Sequence, residues 1–152
     1  GQVSSTIVAV HKLGLEGYFA ISFHWYDFIR DDKEVLEDWM WHADEAETSV
    51  ALYLFPELVE MSKAAKGGGQ PLVDRRFIIA PGMRPRPGTI YHFEGTFARP
   101  EYKELDNGII GDATKATREK GEKLVTRVVD YTAELIEDIR SRYKVGEKPP
   151  VA

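Results

Sequence analysis

The run GYFAISFHWYDFI, Gly17 to Ile29, constrains the fold more than any other part of this sequence. It is mostly apolar, rich in aromatic and β-branched residues, and lacks the alternation of a half-exposed strand. A short run of that kind is expected as a strand buried on both faces. Immediately ahead of it, SSTIVAVHKL (Ser4–Leu13) has serines at its start and Gly14 after its end, the signals of a short helix. A helix followed by a doubly buried strand predicts an α/β fold with a sheet that is at least partly parallel.

The remaining chain fits that expectation. Its 152 residues suit one domain, 1–152, ending in an extended tail over 144–152. Asp31–Trp41 is acidic and predicts a short helix or lid. Asp44–Phe55 has helical spacing, with Ala43, Ala46, Val50 and Leu54 on one face, and Pro56 closes the run. KGGGQP, Lys66–Pro71, predicts a loop. Short strands are expected in RRFIIAPG and TIYHFEGTFA. A long helix should end near Tyr143, with Asp112 as its N-cap and Leu124, Val128, Tyr131, Leu135, Ile136 and Ile139 as its buried stripe. His11 and His92 are expected to be structural or exposed, and Arg84 and Arg86 to lie in a solvated loop, the alternative being that they hold an anionic substrate.

Charge and composition remove several function classes. The net charge is −5 and no basic run stands out, which argues against nucleic acid or an anionic membrane as the main partner. Cysteine is absent, so thiolate metal sites and disulfides are not available. Nothing approaches the ~20 apolar residues of a membrane span. A cytoplasmic location is the expectation.

The chemistry concentrates in WHADEAETS, Trp41–Ser49, where one histidine and three carboxylates occupy six consecutive positions. Two readings stand side by side. With Asp44 as N-cap, Glu47 falls at the capping-box position, which needs no catalysis. Alternatively, His42, Glu45 and Ser49 line one stripe of a helix that starts early, while Glu47 sits at the edge of the apolar face. Glu45 then suits a metal, with Glu47 orienting a neighbour through a hydrogen bond. His42 acts as general acid or base. Histidine with carboxylates favours Zn²⁺, Mn²⁺ or Fe²⁺. His24, near the end of the expected strand, lies where ligands gather in open α/β sheets. Trp25, Trp39 and Trp41 would cover a small polar substrate, or simply pack.

Together, HADEAETS, YLFPELVEM and GIIGDATKATREKGEKL resemble the creatininase (creatinine amidohydrolase) family in order and spacing. The first is similar to the signature H-A-G-E-x-E-T-S at His42, Ala43, Glu45, Glu47, Thr48 and Ser49. The third is similar to G-x-I-G-D-P-T-x-A-T-x-E-K-G. The resemblance implies a three-layer α/β/α sandwich with a mostly parallel sheet. It also implies a metal-dependent hydrolase of small, cyclic or formylated amides, typically hexameric. On it, His42 is catalytic, Glu45 is a metal ligand, and Glu47 is the signature's buried carboxylate, counted with His42 as catalytic. His24, Trp25 and Trp41, from their positions in the sequence, and Asp44, from its place beside the site, are expected to face the substrate. Cleavage of a C–C bond in a cyclic ketone, or a non-catalytic scaffold, are the alternatives. Asp44 replaces the signature glycine and Ala113 a proline. The family's first-half E-x-H pair, downstream aspartate and G-H-G-G-N-like loop have no counterpart here. The chain begins Gly1-Gln2-Val3, so the expectation is the C-terminal portion of a longer enzyme whose N-terminal half is a separate chain.

Overall fold

The computed structural model describes residues 3–29, 32–38, 40, 42–68, 78–79, 90–91 and 107–147. Three helices dominate them: α1 (Val3–Leu15), α2 (Glu45–Leu54) and α3 (Arg118–Arg142). Four two-residue strands make two ladders. β1 (Lys66–Gly67) pairs antiparallel with β4 (Gly111–Asp112), and β2 (Ile78–Ile79) pairs parallel with β3 (Ile90–Tyr91). The parallel pair agrees with a partly parallel sheet. Three stacked layers are not made by the described residues alone. No helix among these residues is long and apolar enough to cross a membrane.

Helix α1 runs past Gly14, its expected stop, to Leu15, and the chain turns away at Gly17, where φ is 83°. There the Gly17 N–H donates to the Gly14 carbonyl and the Tyr18 N–H to the Leu13 carbonyl, each at 2.9 Å. That double closure satisfies carbonyls the helix leaves open and favours glycine at the left-handed position.

The segment after it departs most from expectation. Residues 18–24 carry no assigned strand, and Trp25–Phe28 form a 3₁₀ turn. Tyr18, Phe19, Ile21 and Phe23 are 41–63% exposed rather than buried on two faces. Phe19 meets Tyr143 and Phe28 stacks on Tyr131, with ring centroids 5.6 and 5.7 Å apart, so the segment runs antiparallel along α3. A strand needs a neighbour to complete its ladder, and none of the described strands lies beside this one.

The core forms further along the same path. Ile29, Val35, Leu36, Met40, Ala46 and Leu124 make one buried cluster, onto which Trp25, Phe28, Val50 and Val128 pack. The expected face of α2 is therefore half right: Ala46 is buried, whereas Ala43 and Leu54 are exposed. The stripe on α3 is likewise buried at Leu124 and exposed at Tyr131 and Ile136. Helices α2 and α3 approach closely because Gly121 has no side chain; a Cβ there would fall inside the Ser49 carbonyl.

Two local expectations are corrected. Lys66 and Gly67 are not loop but β1, and Gly67 lets the Ile109 carbonyl lie where a Cβ would be. Asp112 caps a separate 3₁₀ turn, Ala113–Lys115, by accepting from the Thr114 N–H (3.1 Å) and hydroxyl (2.5 Å). Thr117 caps α3 instead, accepting from the Lys120 N–H at 3.1 Å. The extended Ala116 between them separates turn from helix. Ala113 accordingly opens the turn, not the long helix. Arg84, Arg86, His92, Trp39, Trp41 and residues 148–152 of the tail lie outside the described residues.

Candidate functional site

His42 precedes α2 rather than belonging to it, so no helical stripe joins it to Glu45 and Ser49. Its backbone pairs with Ile110: the His42 N–H donates to the Ile110 carbonyl at 3.2 Å, and the Ile110 N–H returns a bond at 2.8 Å. The residue itself is exposed. Ala43 follows with φ 47°, a left-handed conformation that a residue with a Cβ adopts only under local constraint. Part of that constraint is Glu47, whose Oε2 accepts from the Ala43 N–H at 2.7 Å.

The capping reading of the acidic cluster holds for Asp44. This side chain is buried and accepts from the Glu47 N–H at 2.9 Å, satisfying one of the donors a helix start leaves open. Its Cβ fits beneath the neighbouring ladder because position 111 is glycine; a Cβ on Gly111 would lie 2.6 Å from it. Expected against the substrate, Asp44 is instead taken up as a helix cap.

Glu45, expected as a metal ligand, is 2% exposed, and both its oxygens already accept hydrogen bonds. Oε2 receives the N–H groups of Glu37 and Asp38, each at 3.0 Å, and Oε1 the Lys120 ammonium at 2.5 Å. The carboxylate is a structural anchor here. Ser49 is similarly engaged: its buried Oγ accepts from the Thr117 N–H at 3.1 Å, joining α2 to the start of α3.

Glu47 is half-buried, and burial raises its carboxyl above the usual glutamate range. The Ala43 N–H and the charge of His42 oppose that rise, while Asp44 adds to it. His42 and Glu47 thus feel each other electrostatically.

The other expected substrate contacts have local employment. The His24 N–H donates to Asp27 Oδ2 at 2.9 Å, its ring stacks on Tyr26 at 4.9 Å, and Trp25 packs on the core cluster. Trp41 lies outside the described residues.

Sequence reasoning missed Lys120. Burial alone would lower its ammonium, but hydrogen bonds and charge from Glu45 and Glu37 outweigh this and raise it above the ordinary lysine value. The signal was present in outline: one motif supplies buried acids, and the other a lysine beside the glycine that lets α2 approach. Among the described residues, no group of three histidine or carboxylate side chains could hold a metal ion. These residues alone do not fit a metal centre.

Comparison with known proteins adds a lineage to this geometry. The sequence profile of the creatinine amidohydrolase family, Creatininase, matches residues 1–136. The 3-dehydro-scyllo-inosose hydrolase of Thermotoga maritima is 30% identical over 99% of the chain and 51% of its own length. A Bacteroides fragilis structure with a provisional creatinine amidohydrolase description superposes with TM-score 0.62 at 22% identity, over 97% of this chain and 52% of that one. Creatininase structures in manganese and zinc–zinc forms give TM-scores of 0.52 and 0.53 at 22% and 23% identity, over 90% of this chain and 50% of theirs. The chain spans about half the length of these relatives.

Proposed function

The chain belongs to the creatininase family, and from that premise we propose that it supplies His42 to a hydrolase that opens a small ring beside a carbonyl group. One observation carries the reading. In the signature, Asp44, Glu45 and Ser49 are buried within the fold, while His42 is left exposed on a clamped backbone. An imidazole held this way is suited to proton transfer rather than to packing.

In this reading water adds to the substrate carbonyl carbon, and the bond to the leaving atom breaks. His42 delivers the proton that the leaving nitrogen needs, and Glu47 holds Ala43 and steadies the charged imidazole. The family profile favours an amide C–N bond. The relative at 30% identity supports a second reading, in which the substrate is a cyclic polyhydroxy ketone and a C–C bond breaks. Assaying a cyclic amide and an inosose side by side separates the two by product.

The manganese and zinc–zinc forms of the similar creatininases support a divalent cation, Zn²⁺ or Mn²⁺, as cofactor, and Fe²⁺ stays in the reading only through histidine and carboxylate donor chemistry. No metal-holding group is assembled among the described residues, so in this reading the ligands lie beyond them, with the other half of the fold supplying the greater share. That half is the proposed partner, in an oligomer of the family type. The exposed Tyr18, Phe19, Ile21 and Phe23 support such a neighbour, being apolar side chains along a segment without a ladder. Metal analysis should find a divalent ion in the complete assembly and little on this chain alone.

The deciding experiment replaces His42 with Ala in the complete enzyme. We expect kcat to fall about 10²–10⁴-fold with bound metal retained, the range for loss of a general acid or base. Unchanged turnover would exclude the hydrolytic role of His42 and leave a scaffold.

A further inference from the structure

His42 lies inside a loop whose ends are fastened by one side chain. Glu45 Oε2 accepts from the N–H groups of Glu37 and Asp38, five and four residues before His42. Between these ends Met40 is buried in the core, and the His42 backbone is bridged to Ile110. The histidine is therefore held by two pieces of chain, the one carrying Glu37, Asp38, Met40 and Glu45 and the segment leading from Ile110.

The Lys120 ammonium ties those pieces at three points, and the Lys115 ammonium stands 3.9 Å from Glu37 Oε2 beside it. Lys120 Nζ donates to Glu45 Oε1 (2.5 Å), to Glu37 Oε1 (2.7 Å) and to the Lys115 carbonyl (3.1 Å). Glu37 and Glu45 close the loop; Lys115 ends the turn that follows Ile110, Gly111 and Asp112. An ammonium has three N–H donors, and each has a partner here. Hydrophobic packing would hold the helices together without specifying this register. Three directed bonds from one buried-side nitrogen do specify it.

We propose that Lys120 is a positioning residue, which fixes the His42 loop against the Ile110–Lys115 segment and so sets where the imidazole stands. The catalytic consequence rests on the hydrolase reading above; the placement of His42 does not.

The test uses Lys120→Met, with Lys120→Arg and Glu37→Gln beside it, in the complete enzyme. Glu37→Gln weakens one exposed contact without stranding a buried charge, so it serves if Lys120→Met does not fold. For Lys120→Met we expect kcat about 100-fold lower with KM little changed, as for a catalytic group displaced by about 1 Å. The pH–rate limb of His42 should move. Lys120→Arg should recover part of kcat, and Glu37→Gln should shift both readings in the same direction by less. Independently of turnover, carbethoxylation of His42 by diethyl pyrocarbonate is followed by peptide mass spectrometry across pH. Its rate and midpoint should change in Lys120→Met and Glu37→Gln, while His11, exposed on α1, serves as internal control. Variants with parental His42 reactivity and parental kinetics, even at lower thermal stability, would overturn the proposal. A parent without hydrolase activity but with a Lys120-dependent His42 rate would sink the hydrolase reading and uphold the positioning role.

Discussion

The junction where α2 meets the start of α3 and the aromatic flank along the far half of α3 are built from the same chain to opposite standards. At the junction, Asp44, Glu45 and Ser49 are buried and each accepts a named donor. Glycine replaces side chains where backbones touch. On the flank, Tyr18, Phe19, Ile21 and Phe23 face outward, as do Tyr131 and Ile136 of α3. The difference shows where this polypeptide is self-sufficient. Buried polar groups are tolerable only when satisfied within the fold, and the junction meets that condition internally. The apolar flank gains its stabilisation only when something covers it.

The contrast can be broken most sharply at Lys120. Its removal by Lys120→Met strands the buried Glu45 carboxylate, and unfolding measurements should show a loss of about 3–5 kcal/mol. In the parent, the raised lysine value means that this contribution is complete below pH 10.5 and fades as pH climbs above it. Next is Gly121→Ala, whose Cβ meets the Ser49 carbonyl. Thermal unfolding should register the upper part of the ~1–3 kcal/mol typical of overpacking, or more. Phe19→Ser tests the other region. In the isolated chain its effect should stay within about 0.5 kcal/mol, as for exposed sites. In the complete enzyme it should be markedly larger, and equal effects in both would erase the contrast. The smallest change is expected from Glu47→Gln at the edge of the junction. Because burial raises the Glu47 carboxyl, the parent is favoured at acid pH and loses that advantage as pH rises from 4.5 through the raised value. The stability of Glu47→Gln relative to the parent should therefore improve with pH across a titration of unfolding midpoints.

What the sequence disclosed follows the same division. The helix at Asp44, its cap, the long helix to the neighbourhood of Tyr143 and the places of β2 and β3 were legible because local spacing, composition and capping chemistry determine them. The carboxylates were legible as a cluster but not in their roles. Helical spacing placed His42 beside Glu45, whereas the bridge to Ile110 and the left-handed Ala43 set it on a preceding loop. The partner of Glu45 lies 75 residues away, which no local pattern reports. Residues 17–29 mislead for a different reason. Their composition describes a site in a sheet, and the described residues bring no neighbouring strand to it.

The ladder between β1 and β4 has an implication for how such a protein can diversify. Lys66 faces Asp112 and Gly67 faces Gly111, so the chain leaves the junction and returns to the same point. Closing a longer excursion between fixed ends carries only about 0.6 kcal/mol of extra entropy for each doubling in length. Residues inserted or exchanged between positions 68 and 107, ahead of Ile109 and Ile110, therefore leave the backbone bridge between His42 and Ile110 in place. Variation can accumulate there without rebuilding the seat of the imidazole.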